Sequence, residues 1–118
     1  MDDDQFFEGH PESRSIFRAI GSAVQEIGPA ETRVSRSQIS FHRRHAFAAA
    51  WRPGQHLRGE RPPLVLSVYL RRRAPSPRWK QVVGPRPGRF THHLELRSPA
   101  EVDDEVRQWL AEAWRDAD

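Results

Sequence analysis

The sequence contains no cysteine among its 118 residues, which excludes a disulfide framework, a thiol nucleophile and a thiolate metal site. No apolar run approaches the roughly 20 residues that a transmembrane helix needs. The chain opens with the acidic stretch MDDDQFFEG, whereas a signal peptide opens with basic residues. A glycine-rich phosphate loop and a His-Glu-x-x-His motif are also missing. These absences predict a cytoplasmic protein, away from membranes and without a cofactor or metal, and they make an enzyme the less favoured class.

Lysine is nearly absent as well, because eighteen of the nineteen basic residues are arginine. Residues 1–32 and 98–118 each carry seven acidic residues against two arginines, a net charge of −5 apiece. Residues 33–97 carry fourteen arginines and Lys80 against Glu60 and Glu95, a net charge of +13. Charge segregated in this way attracts anions. It predicts an anionic partner, which could be a nucleic acid, a phosphorylated ligand or an acidic protein.

Apolar residues at three- and four-residue steps predict a helix near each end of the chain. The first spans Pro11–Ile27, with proline in its first turn and Gly28-Pro29 as its stop. The second begins at Ser98, where Pro99 and Glu101 complete a capping box, and runs to about Trp114. Residues 1–10 are expected to be a loose lead-in that docks through two phenylalanines, and residues 1–118 to form one domain.

Four segments show the two-residue alternation of strands. They centre on Ile39 and Phe41, on Phe47, Ala49 and Trp51 as residues of one face, on 64–71, and on 90–97. Val34 is out of phase with the first segment, so a slip is expected at 35–37, and 52–63 reads as a turn-rich connection. The predicted order is α-β-β-β-β-α: a two-layer α+β sandwich whose four-stranded, mostly antiparallel sheet has both terminal helices on one face.

The proline-broken stretch 71–89 is basic and too long for a hairpin turn, and loops of that length often carry function. PRWKQVV within it could form a short helical turn. In one interpretation its arginines hold phosphates while Trp79 stacks on a ring. In the other, Trp79 packs back against the sheet edge and pins the connector.

The sheet face opposite the helices, the open face, is expected to be polar and basic. Arginine offers forked donors to phosphate and Tyr69 offers a stacking plane, although an uncovered face must be polar in any case. The predicted partner-binding residues are Arg36, Gln38, His42, Tyr69, Arg71, Arg72, Arg73, Arg78, Trp79, Lys80, His93 and Arg97.

Two alternatives stay open at this point. His92 and His93 point to opposite faces of a strand, so we expect a core histidine followed by an exposed one. His42 and His93, with Glu95, could form an acid–base or metal cluster of an enzyme if their strands pair. The acidic helices and basic centre could instead drive self-association, with a homodimer as the simplest result.

Four segments carry a resemblance to a known family: FEGHP at 7–11, RVSRSQISF at 33–41, PRWK at 77–80 and HHLEL at 92–96. The chain resembles a bacterial family of small domains known only as domain of unknown function 5655. The resemblance runs nearly end to end and implies a compact α+β domain. It brings no established catalytic residues, so it assigns none here.

Overall fold

A computed structural model describes residues 1–53 and 61–118. The helices are α1 (Asp3–Phe6), α2 (Pro11–Ile27) and α3 (Asp104–Asp116), with a 3-10 turn at Pro99–Glu101. The strands are β1 (Glu31–Val34), β2 (Ile39–His42), β3 (Ala46–Trp51), β4 (Leu64–Leu70), β5 (Gln81–Arg86) and β6 (Arg89–Leu96). Among the helices of these two segments, none is long and apolar enough to cross a membrane. The expected connection over 52–63 lies largely outside the described residues.

The strands form one six-stranded sheet in the order β1-β2-β3-β4-β6-β5, and every neighbouring pair is antiparallel. Both long helices pack on the same face, where their apolar side chains share one buried cluster with the sheet. The predicted α+β class and the antiparallel sheet are therefore confirmed. The predicted number of four strands is wrong.

The first additional strand comes from the slip expected at 35–37. That place is a hairpin turn: the N–H of Ser35 donates to the carbonyl of Gln38 at 2.9 Å, and the Ser35 hydroxyl oxygen accepts from the Gln38 N–H at 3.2 Å. Val34 then pairs with Ile39 across the hairpin. The apparent change of phase is thus a change of strand.

The second additional strand is β5, which replaces the helical turn expected in PRWKQVV. A tight turn joins β5 to β6, with Arg86 opposite Arg89 and Gly88 at a φ of +75°, the left-handed conformation that glycine adopts most readily. The stretch 71–89 is therefore half connector and half hairpin. β6 lies between β4 and β5, although it follows both in sequence.

The face assignment of β3 also changes. Phe41 pairs with Ala48 while His42 pairs with Ala46, so Phe47 is the extra residue of a β-bulge. Phe47 joins the core and shifts the later alternation, which sends Trp51 to the open face. The expectation that Phe47 and Trp51 share a face is wrong for this reason.

Side-chain caps close the first turn of the helices near both ends of the chain. The lead-in contains a turn of helix closed by an Asp2–Gln5 capping box, and Phe6 and Phe7 are buried. The capping box of Ser98 and Glu101 is present but closes the 3-10 turn. Helix α3 begins only at Asp104, where the Asp103 carboxylate accepts the N–H of Val106 at 3.1 Å.

Gly28, at the end of α2, lies under the indole of Trp114. A Cβ added at Gly28 would lie 2.6 Å from Cζ2 of that ring, which is held by a 2.9 Å bond from its Nε1 to the carbonyl of Pro29. We expect Gly28→Ala to lower the free energy of unfolding by about 1–3 kcal/mol through overpacking, measured by urea denaturation. Gly21→Ala is the matched control, since no atom lies within 4 Å of its added Cβ. Equal effects of the two variants would contradict this packing.

Candidate basic ligand-binding site

Three turns meet at one end of the sheet, because His42 is level with Ala46, Leu70 with Phe90 and Arg86 with Arg89. We call this region the arginine end. Its members are Arg43, Arg44, Arg71, Arg72, Arg73, Arg86 and Arg89. The last turn of α3 lies against it, since the N–H groups of Arg44 and His45 donate to the carbonyl of Ala117 at 3.2 and 3.1 Å.

A cavity of about 360 Å³ opens in the arginine end. We call it the basic pocket. Its polar lining residues are His45, Tyr69, Arg71, Arg86, Arg89 and Asp116. Its size lies in the range of small-molecule sites. Three arginines and a single carboxylate, that of Asp116, thus line the cavity. Oδ2 of Asp116 already accepts the backbone N–H of Arg71 at 3.0 Å.

Stacking orders the pocket's donors. The guanidinium carbon of Arg89 lies 5.3 Å from the ring centroid of Tyr69. Burial raises the pKa of Tyr69, although the charge of Arg89 opposes that shift, so the phenol stays protonated as a hydrogen-bond donor at neutral pH. The pocket therefore offers guanidinium forks and a hydroxyl to an anion.

Two of the predicted binding residues are committed to the fold. Arg72 makes a two-pronged contact with Glu112 at 2.7 and 2.8 Å, which raises the pKa of Arg72 and lowers that of Glu112. One terminal nitrogen of Arg78 contacts the carboxylates of Asp103 and Glu105 at 3.1 and 2.8 Å. Both arginines tie the 71–80 connector to α3.

Trp79 packs back against the body of the domain, as in the second of the two interpretations. Its ring packs on Trp109 at a centroid distance of 4.0 Å and beside His92 at 4.8 Å, and its Nε1 donates to the carbonyl of Ala74 at 3.0 Å. The indole is therefore a partly buried pin between α3 and the sheet. Lys80 follows as an exposed residue whose N–H donates to the carbonyl of His93 at 2.7 Å.

The centre of the open face holds a network that the sequence did not reveal. Trp51 Nε1 donates to the Ser67 hydroxyl oxygen at 3.0 Å, and that hydroxyl lies 2.8 Å from Nδ1 of His93. Burial lowers the pKa of His93, so its ring is neutral at neutral pH. His93 is half-buried, not exposed as predicted. The network links β3, β4 and β6. Because Ser67 is only 3 % exposed, its hydroxyl is not accessible as a nucleophile.

The proposed histidine cluster is not assembled. His42 lies on β2 and His93 on β6, with β3 and β4 between them, so they are at least about 14 Å apart at the usual strand spacing. His42 instead bonds Ser40, whose Oγ lies 2.8 Å from its Nε2. Burial is the main cause that lowers the pKa of His42, and Arg33 adds to it. Within residues 1–53 and 61–118 no group of three His, Asp or Glu side chains could hold a metal ion.

The remaining predicted residues divide between two ends of the sheet. Arg36 and Gln38 lie in the β1–β2 turn and Arg97 follows β6, all at the end away from the pocket. On the open face, Arg33 pairs with Glu31 at 3.2 Å.

Among the predicted residues, Tyr69 and Arg71 line the basic pocket, and Arg72 and Arg73 belong to the arginine end outside its lining. Sequence reasoning missed Arg86 and Arg89 because it did not recognise the hairpin. The signal was VVGPRPGRF, in which a Pro-Gly turn separates two runs that each contain apolar residues.

A single antiparallel sheet with two helices on one face and a basic pocket at one end defines a small α+β domain. The chain belongs to the family described as Domain of unknown function (DUF5655), whose model matches residues 3–117. The resemblance found in the sequence is thus confirmed. No curated protein and no solved structure gives a match to the chain.

Proposed function

We propose that this domain binds an anionic, phosphate-bearing ligand in the basic pocket. The observation that carries the proposal is the convergence of Arg71, from the end of β4, with Arg86 and Arg89, from the β5–β6 turn, around one cavity. None of the three forms an ion pair with any residue in the described parts of the chain. Guanidinium groups are suited to phosphate because their donors form a rigid planar fork.

Two features of the pocket oppose an anion, and both are offset. The C-terminal end of α3 presents carbonyl oxygens with partial negative charge, and Asp116 adds a carboxylate. However, the carbonyl of Ala117 already accepts two N–H groups from the β2–β3 turn, and Asp116 accepts the N–H of Arg71. With three arginines against one carboxylate, the lining of the pocket carries a net positive charge.

Titration with pyrophosphate, followed by NMR chemical shifts of backbone amides, tests the proposal. We expect the perturbed amides to cluster at Arg71 and at 86–89, and Arg89→Glu to weaken binding on the order of tenfold or more, because charge-assisted hydrogen bonds contribute about 1.5–3 kcal/mol each. The matched control is Arg36→Glu, an exposed arginine at the other end of the sheet. Unchanged affinity in Arg89→Glu, or equal losses in both variants, would count against the basic pocket.

A further inference from the structure

The arginine end extends beyond the basic pocket. Arg44, in the β2–β3 turn, and Arg73, just after β4, do not line the cavity, yet neither forms an ion pair with a residue that the structure describes. With the three pocket arginines they make five cations, at one end of the sheet, that pair with no acidic residue of 1–53 or 61–118. One small anion in the pocket would leave Arg44 and Arg73 without a counter-charge.

The turns that carry these cations are spread across the strands. From the β2–β3 turn to the β5–β6 turn the sheet advances by three inter-strand spacings, or about 14 Å. A nucleic-acid strand advances about 3.4 Å per phosphate along a helix axis, and its phosphates are further apart along the strand itself, so this span corresponds to at most about four consecutive phosphates. The width therefore fits a polymer of phosphates better than a single one.

The aromatic rings at this end are covered by arginines. The guanidinium carbon of Arg43 lies 3.6 Å from the ring centroid of Trp114, and that of Arg73 lies 5.2 Å from the ring centroid of Phe90. Together with the Arg89 and Tyr69 pair, this arrangement leaves those ring faces unavailable to stack on bases. The donors of a guanidinium lie in its plane, so stacking orients them without consuming them.

We infer that the partner is a nucleic acid, bound through its sugar–phosphate backbone along the arginine end and without base readout. This inference rests on the proposed anion binding, because the pocket supplies the phosphate positions nearest the β5–β6 turn. Arg44 adds a position at the β2–β3 turn, and Arg73 adds one where its guanidinium lies over Phe90. Contacts to phosphate fix position but carry no sequence information, so affinity should depend on length and salt and not on base identity.

Fluorescence anisotropy with labelled oligothymidylates of two to twelve nucleotides tests the inference. We expect affinity to rise with length until about four phosphates are covered. The slope of log K against log salt should be about −2 to −3 for these single strands, since each neutralised phosphate contributes about −0.7. Oligoadenylates of equal length should bind within about twofold. The same titration with duplexes of equal length shows whether the single-stranded or the double-stranded backbone binds more tightly.

Arg44→Gln separates the inference from the pocket itself. This variant should make the slope of log K against log salt shallower by about 0.7, the contribution of one phosphate. It should weaken oligonucleotide binding several-fold and leave pyrophosphate binding unchanged. Arg36→Gln, the matched control, should change neither. If pyrophosphate binds but oligonucleotide affinity ignores both length and Arg44, the nucleic-acid inference is overturned and the anion site stands. Oligonucleotide binding that survives Arg89→Glu, or equal competition by polyglutamate of the same charge, would also overturn it. If the unmodified protein does not bind pyrophosphate, the proposed function itself is overturned.

Discussion

Replacing Trp79 with alanine should lower the free energy of unfolding by about 3 kcal/mol, the lower end of the usual range for a tryptophan that fills a core site. The indole packs on Trp109 at 4.0 Å between ring centroids and donates to the carbonyl of Ala74 at 3.0 Å. Removing it opens a void beside α3 and leaves that carbonyl without its partner. Urea denaturation followed by far-ultraviolet circular dichroism would measure the loss independently of tryptophan fluorescence.

Two further variants separate packing from hydrogen bonding. Trp79→Phe keeps an aromatic ring but removes the donor, so we expect a smaller loss of about 1 kcal/mol beyond any repacking. Trp51→Phe is the matched comparison on the open face, where the indole donates to Ser67 at 3.0 Å. A loss in Trp79→Ala below that of Trp51→Phe would contradict the position of Trp79 between α3 and the sheet.

Acid should destabilise the fold through His92, the second large effect that we expect. The ring is fully buried, with Nε2 accepting the N–H of Ala74 at 3.0 Å and Nδ1 bonded to the carbonyl of Phe90 at 3.2 Å. Burial lowers the pKa of His92 despite opposing hydrogen bonds to backbone carbonyls, and Arg73 and Arg72 lower it further. Protonation would place a hydrogen on Nε2, so this nitrogen could no longer accept the N–H of Ala74. The hydrogen bond that holds the connector to the ring would then be lost.

The sign of the pH dependence follows from linkage. An unfolded histidine titrates near pH 6.5, above the folded value of His92, so the unfolded chain binds the proton first. The stability due to neutral His92 is therefore complete above about pH 6.5 and is lost as the pH falls toward the folded pKa. The limiting slope is about 1.4 kcal/mol per pH unit for one proton.

Urea denaturation between pH 8 and pH 5 would test this dependence, with His92→Gln as the informative variant. The amide can still accept from Ala74 but cannot take up the proton, so its curve should be flatter although its stability at pH 8 is lower. His93→Gln controls for the other histidine whose pKa burial lowers in β6. An unchanged slope in His92→Gln would show that other groups carry the acid sensitivity.

The helices could be predicted well because their signals are local. The apolar stripe of α2 and the Gly28-Pro29 stop gave its bounds as the structure has them. The last helix was displaced because the Ser98 capping box and the Asp103 cap compete for its start, and the structure uses both in succession. Local capping chemistry identified the residues but could not decide which cap starts the α-helix.

The missed strands are the two edges of the sheet. β1 contributes Val34 as its single aliphatic residue, and β5 is interrupted by glycine and proline, so neither carries the alternation that marks a half-buried strand. The basic pocket was out of reach for the same reason. Its arginines come together only because the β5–β6 turn folds beside the end of β4. The homodimer and the cytoplasmic location remain predictions.

The insertion of β6 between β4 and β5 has a consequence for folding. Strands β1 to β4 form a meander of sequence neighbours, whereas the β4–β6 ladder joins residues twenty to thirty-two positions apart. Pairing over such separations is slow, so docking of the β5–β6 hairpin on β4 is expected to be a late event. The hairpin carries two of the three pocket arginines, so a partly folded chain has no anion site. A ligand of the pocket would therefore bind only the completed fold and stabilise it by mass action.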